Sequence, residues 1–186
     1  MILPIVAYGD PVLRSKGENI SQDYPELEKL IADMFETMYE ASGVGLAASQ
    51  IGKPLRLFLV DATPFDDEYN EAKDFKKVFI NAKITHREGE EEAYNEGCLS
   101  FPKLREDVYR HPRITIEYED QYFEHHIEHY DGILSRIIQH EYDHIEGILM
   151  VDHLSSLRRT LLKRRLLEIS KGDVRIDYKM KFPIKK

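Results

Sequence analysis

Apolar positions recur at helical spacing in three stretches of the chain. In the first, Leu27, Leu30, Ile31, Met34, Phe35 and Met38 mark one face. Asp23 and Glu26 have the spacing of a capping box, Pro25 suits a first turn, and Gly43 is a natural stop. In the second, ILSRIIQHEYDHIEGIL, residues Ile133, Ile137, His140 and His144 share one helical stripe, with Asp131 as the expected N-cap and Gly147 near the end. The third begins near Ser155 or Ser156. Leu157, Leu161, Leu162, Leu166 and Ile169 are expected to face inward, Arg158, Arg159, Lys163, Arg164 and Arg165 outward, and Gly172 to end it. Strands are expected at 55–60, 77–84, 113–118 and 122–130, the last two paired around Glu119 and Asp120. Residues 2–13 read as a surface segment, and the acidic stretch 61–77 as a surface loop or insertion with no site chemistry. No repeat or linker interrupts the pattern, which predicts one α+β domain over residues 1–186.

The second helix carries the candidate chemistry. Two histidines four apart differ by about 40° in azimuth, so His140 and His144 can reach one metal ion. Glu141 is turned about 100° from His140, which suits a carboxylate that handles protons beside the metal without binding it. The bland alternative is an amphipathic helix with its polar residues on the wet side. Against it, the apolar stripe runs directly into the histidines, and buried imidazoles need partners.

The third ligand is less clear from residues alone. An extended HExxHxxGxxH motif needs histidine at position 150, where the chain has Met150. A downstream glutamate would have to be Glu168, which sits in the basic helix without a supporting motif. Cys98 remains, in the run EGCLS, although a lone cysteine is more often a small buried apolar residue. His125 and His126 would point to opposite faces of a strand, so with His129 they form a poor chelator.

Composition bounds the rest. A chain of 186 residues can bury a substantial core, and a single cysteine excludes an internal disulfide. No signal peptide or apolar run of membrane-spanning length is visible, so a cytoplasmic protein without membrane or specific DNA partners is expected. The net charge of −8 hides an asymmetry: residues 151–186 hold 11 Lys+Arg against 4 Asp+Glu, and residues 1–150 hold 15 against 30. A basic tail on an acidic body implies an anionic partner or only a solvated face.

Three stretches, GVGLAASQ (43–50), EGCLS (96–100) and HEYDH (140–144), resemble in order and separation the motifs of the bacterial peptide deformylases, and the opening PIVAYGDPVLR is similar to N-termini of that family. The resemblance spans about residues 2–155. It implies small antiparallel sheets around a central metal-binding HExxH helix, with the N- and C-terminal helices packed outside. It also implies Cys98, His140 and His144 as ligands of one divalent metal ion, Fe(II) favoured, with zinc, nickel and cobalt admissible for this donor set.

On the same resemblance, Glu141 is the catalytic acid/base, and the Gln50 side chain and the Leu99 N–H bind the oxyanion. Val44, Gly45, Gly97 and Ile137 contact substrate, Val44, Leu99 and Ile137 contribute to a methionine pocket, and Arg105 lies near its mouth. The implied reaction removes the N-formyl group from the initiator methionine of nascent chains and releases formate. Asp143 is expected to orient a ligand or a nearby arginine rather than lie exposed. The basic segment 156–186 could dock on ribosomal RNA. Competing readings are a general HExxH zinc peptidase and a non-catalytic metal- or peptide-binding module.

Overall fold

A computed structural model of the chain describes residues 1–184, so the last two residues of the basic tail fall outside the described residues. Its elements in order are β1 (Ile5–Val6), α1 (Leu27–Glu40), β2 (Gly45–Ala47), β3 (Leu57–Asp61), β4 (Lys76–Glu88), β5 (Glu92–Gly97), β6 (Arg105–Arg110), β7 (Arg113–Glu119), β8 (His125–Tyr130), α2 (Gly132–Ile145), α3 (Ser156–Ser170) and β9 (Met180–Lys181). The architecture is α+β, as expected. A five-stranded antiparallel sheet runs β2-β3-β4-β7-β8, β5 and β6 form a separate antiparallel hairpin, and β1 pairs with β9. That last pair is parallel, so the sheets are not all antiparallel.

Strand β3 shows why the layers form. All five of its residues are buried. Phe58 and Val60 face the core that holds Ile133, Ile137 and Ile138 of α2, while Leu57 and Leu59 face the core that holds Leu30, Met34 and Met38 of α1. Period-two alternation thus places one helix on each face of the strand. The next strand needs a correction in mid-course. Asn81 has a positive φ of 52°, and the register with β7 shifts between Ile80 and Lys83. The extra residue reverses the alternation, which keeps Ala82 and Ile84 with Phe79 on the α2 side. The Asn81 amide side chain secures the irregularity by donating to the Ile20 carbonyl and accepting from the Ile20 N–H, each at 2.8 Å.

Several local expectations change. Helix α1 starts only at Leu27: Glu26 is left-handed, and Asp23 accepts from the Ser21 hydroxyl instead of capping the helix. The helix ends at Glu40, and Ser42, not Gly43, takes the left-handed conformation after it. Asp131 does precede α2, but without a side-chain capping bond. The segment before α1 is no mere surface strip, because Ile5, Val6, Ala7 and Leu13 are buried. Helix α3 begins at Ser156 as expected, with the Ser155 side chain accepting from the Arg158 N–H, and Leu162, Leu166 and Ile169 are buried. Leu157 and Leu161 point outward, 70% and 65% exposed.

Candidate metal centre

Three elements converge at the end of α2. Strand β5 delivers Glu96 and Gly97, Cys98 follows at its end, and the short 3-10 turn Ala48–Ile51 after β2 presents Gln50. Potential ligand atoms of Cys98, His140 and His144 all lie within 4.8 Å of one another, and Cys98 Sγ is 3.3 Å from His144 Nε2. The structure therefore brings the three expected ligands together. Among the described residues His125 and His129 join no such group; His126 instead meets Asp120 and Glu124 in a partly exposed cluster at the β7–β8 turn.

Sequence reasoning missed what holds His140. Glu96, 5% exposed, accepts from His140 Nδ1 at 2.9 Å and from two guanidinium groups, Arg110 Nε at 2.7 Å and Arg136 Nη1 at 3.0 Å. Burial disfavours its charged form, but the bonds from His140 and Arg110 hold the carboxyl well below the usual range. An ionised Glu96 fixes the proton on Nδ1 and frees Nε2 to bind a cation. Arg110 continues the chain of contacts, donating through Nη1 to Asp143 Oδ2 at 2.7 Å, where His153 Nε2 also arrives at 2.7 Å. Asp143 is thus a buried partner of an arginine, as expected. The arginines gave no local signal in the sequence; Glu96 was at least part of EGCLS.

The electrostatics fit a metal ion. Burial works against a charge on His140, yet Cys98 and Glu96 outweigh it and raise its pKa well above the ordinary value. A divalent cation in place of that proton meets the same two negative partners. Burial, together with the charge on His140, lowers the pKa of His144 to about 3, so it is the neutral imidazole a metal requires. Cysteine and imidazole donors together suit iron, zinc, nickel and cobalt. Glu141 adds an acceptor that is not otherwise used: burial pushes its carboxyl up to about 7, and its buried Oε2 has no hydrogen-bond partner among the described residues.

Gln50 is 1% exposed and its amide is held at both ends. Oε1 accepts from Ala47 N–H at 2.9 Å, and Nε2 faces Cys98 Sγ at 3.6 Å and Ser100 Oγ at 3.3 Å. The Leu99 carbonyl accepts from the Tyr178 hydroxyl at 2.6 Å, tying the C-terminal tail to the centre. Gly45 lies against Glu141; a Cβ there would be 2.7 Å from Glu141 Cγ and Cδ.

Two adjoining cavities open on His140 and Glu141. One, of about 370 Å³, is lined by Gly45, Gln50, Gly97, Cys98, Leu99 and Tyr178 among others. The second, of about 260 Å³, is more apolar, with Val44, Phe65, Tyr94, Ile133 and Ile137 in its walls and Arg136 beneath the Tyr94 ring. Of the three residues expected to share a methionine pocket, Val44 lines both cavities, Leu99 the first and Ile137 the second. Arg105 borders both. Phe65 comes from the stretch 61–77, which was expected to carry no site chemistry.

Comparison with known proteins agrees with this geometry. The family model for polypeptide deformylase matches residues 2–160. A peptide deformylase of Christiangramia forsetii is 57% identical over 190 residues, covering 98% of this chain and 97% of that protein, and one of Cytophaga hutchinsonii is 53% identical over the full length of both. Among solved structures, the peptide deformylase of Thermus thermophilus superposes with a TM-score of 0.81 at 39% identity, covering 91% of this chain and 98% of that one. That of Legionella pneumophila gives 0.79 at 36% identity, covering 90% and 95%. The match extends through the sheet, the EGCLS strand end and the HEYDH helix alike, and the chain belongs to the peptide deformylase family.

Proposed function

We propose that this chain removes the N-formyl group from the N-terminal methionine of newly synthesised proteins, with Cys98, His140 and His144 holding the metal on which the family's hydrolysis depends. The observation that carries the reading is Glu141, whose buried Oε2 has no hydrogen-bond partner among the described residues and which lines the same cavity as Cys98 and His140. When bound, the ion polarises the formyl carbonyl and makes water a usable nucleophile near neutral pH. Glu141 accepts the proton of the attacking water and later delivers it to the departing amine nitrogen, so formate and a free N-terminus result. Gln50 Nε2 and the Leu99 N–H donate to the oxygen on which negative charge develops; loss of one such donor typically costs about 10²–10³ in rate. Glu96 holds the His140 ring in register throughout.

The substrate backbone pairs beside Val44 and Gly45 at the free edge of β2, a form of strand addition, with Gly97 opposite. The methionine side chain enters the 260 Å³ cavity over Val44 and Ile137. Fe(II) is the proposed native ion. Residues 1–186 act as one cytoplasmic catalytic domain; among the described residues no helix is long and apolar enough to cross a membrane. The basic segment from 156 docks on ribosomal RNA, supported by the exposed cationic face of α3. Loss of ribosome co-sedimentation on deleting 156–186 is the expected result, and unchanged co-sedimentation refutes the docking.

The reaction is tested anaerobically with protein loaded with Fe(II) or Ni(II) and a formyl-Met peptide. Formate release with every peptide bond intact is expected. Cleavage of internal bonds without formate would favour a general HExxH peptidase.

A further inference from the structure

The acidic stretch after β3 is a built element. Asp61 Oδ1 accepts from the Thr63 N–H at 3.1 Å and its hydroxyl at 2.6 Å, which starts a 3-10 turn over Thr63–Phe65. Ala62 N–H donates to the Phe75 carbonyl at 2.9 Å, closing the base of the excursion, and Tyr69 N–H donates to the Phe65 carbonyl at 2.8 Å. The Tyr69 ring meets Phe65 edge-on at 6.2 Å, 80° between planes. Half-buried, the Phe65 ring packs, as Val44 and Tyr94 do, against the core that holds α2.

This turn places Phe65 where the two cavities meet, in the walls of both. We propose that Phe65 is a specificity-determining residue, whose ring closes the outer side of the 260 Å³ cavity and limits the width available to the first residue of the substrate. The inference rests on the deformylase reading above. An unbranched methionine side chain passes between Phe65 and the Val44–Ile137 floor; a β-branched or aromatic side chain meets the ring. Because that contact exists before and during the reaction, its loss acts mainly on binding, raising KM more than it lowers kcat.

The test uses metal-loaded full-length protein and formyl peptides that differ only in the first residue, methionine or phenylalanine, with formate release as readout. Phe65→Ala should raise KM for the methionine peptide and raise the phenylalanine-to-methionine ratio of kcat/KM, each by about tenfold, the scale set by small changes in an apolar pocket. Phe65→Trp, which narrows the cavity, should lower that ratio, and Phe65→Leu should lie between wild type and Ala. The Leu and Trp variants carry the test if Phe65→Ala does not fold. Wild-type ratios in the folded variants overturn the inference while leaving the deformylase reading intact. A selectivity change that follows the second peptide residue and not the first places Phe65 on the other cavity and overturns it equally. A wild-type protein that releases no formate removes the underlying reading and this inference with it.

Discussion

Gly45 touches the Glu141 carboxylate so closely that no side chain fits between them. A methyl group added at Gly45 would lie 2.7 Å from both Cγ and Cδ of Glu141. Strand β2 is held by β3 and packs against α2, so the carboxylate, not the backbone, must yield. Gly45→Ala is therefore expected to lower kcat about 10²-fold, the effect of displacing a reacting group by roughly an ångström. Bound metal should remain at the wild-type level, because the three atoms nearest the new methyl all belong to Glu141 and none to a proposed ligand. Wild-type kcat in this variant would mean that Glu141 has no fixed position.

Cys98 is the proposed ligand that the HEYDH helix does not supply. Cys98→Ser should reduce metal content after dialysis, whereas Glu141→Ala should keep the metal and lose turnover. Elemental analysis of both variants beside the formate assay separates the roles. Stoichiometric metal in Cys98→Ser would remove that residue from the centre.

Arg110 connects two buried carboxylates, Glu96 and Asp143. Its guanidinium is 3% exposed, so Arg110→Met leaves both acids without their main cation. Breaking such a buried pair costs about 3–5 kcal/mol. A denaturant midpoint far below wild type is expected, together with metal affinity weakened about 10–100-fold through the freed His140 ring. Wild-type values of both would show that Arg136 alone suffices to hold Glu96.

Glu128 offers a pH test away from the centre. Burial alone would raise its carboxyl, but Lys77, with the hydroxyls of Tyr118 and Tyr130, holds it below the ordinary value. A group whose folded pKa is depressed contributes stability above its unfolded pKa, near about 4.3 in unperturbed glutamate, and loses it as pH falls through the folded value. Glu128→Gln should lower Tm by several degrees at pH 7, with the difference shrinking below about pH 4. A difference independent of pH would assign the loss to packing, not to charge.

What could be read in the sequence was local. The stripe Ile133, Ile137, His140, His144 is legible because helical spacing alone puts those residues on one face, and the EGCLS and GVGLAASQ runs each fit within one short segment. Contacts made by strand pairing were not legible: Arg110 reaches Glu96 because β6 folds back on β5, and Phe65 reaches the cavity through a turn whose hydrogen bonds leave no periodic trace. In α3 the pattern was ambiguous. Leu157 and Leu161 form one stripe and Leu162, Leu166 and Ile169 another, roughly 125° around the helix, and spacing cannot say which of the two a neighbour covers. The parallel pairing of β1 with β9 had no signal at all, since each contributes two residues.

That small parallel pair also sets an order of events during synthesis. Ile5 is opposite Met180, so almost the whole chain separates the partners. The three proposed ligands and Glu141 all precede β9, whereas β1 gains its neighbour, and the Leu99 carbonyl its Tyr178 hydroxyl, only once the tail has emerged. While it is still being translated, the chain already holds all of its proposed metal-binding residues, but its first strand must wait for its last.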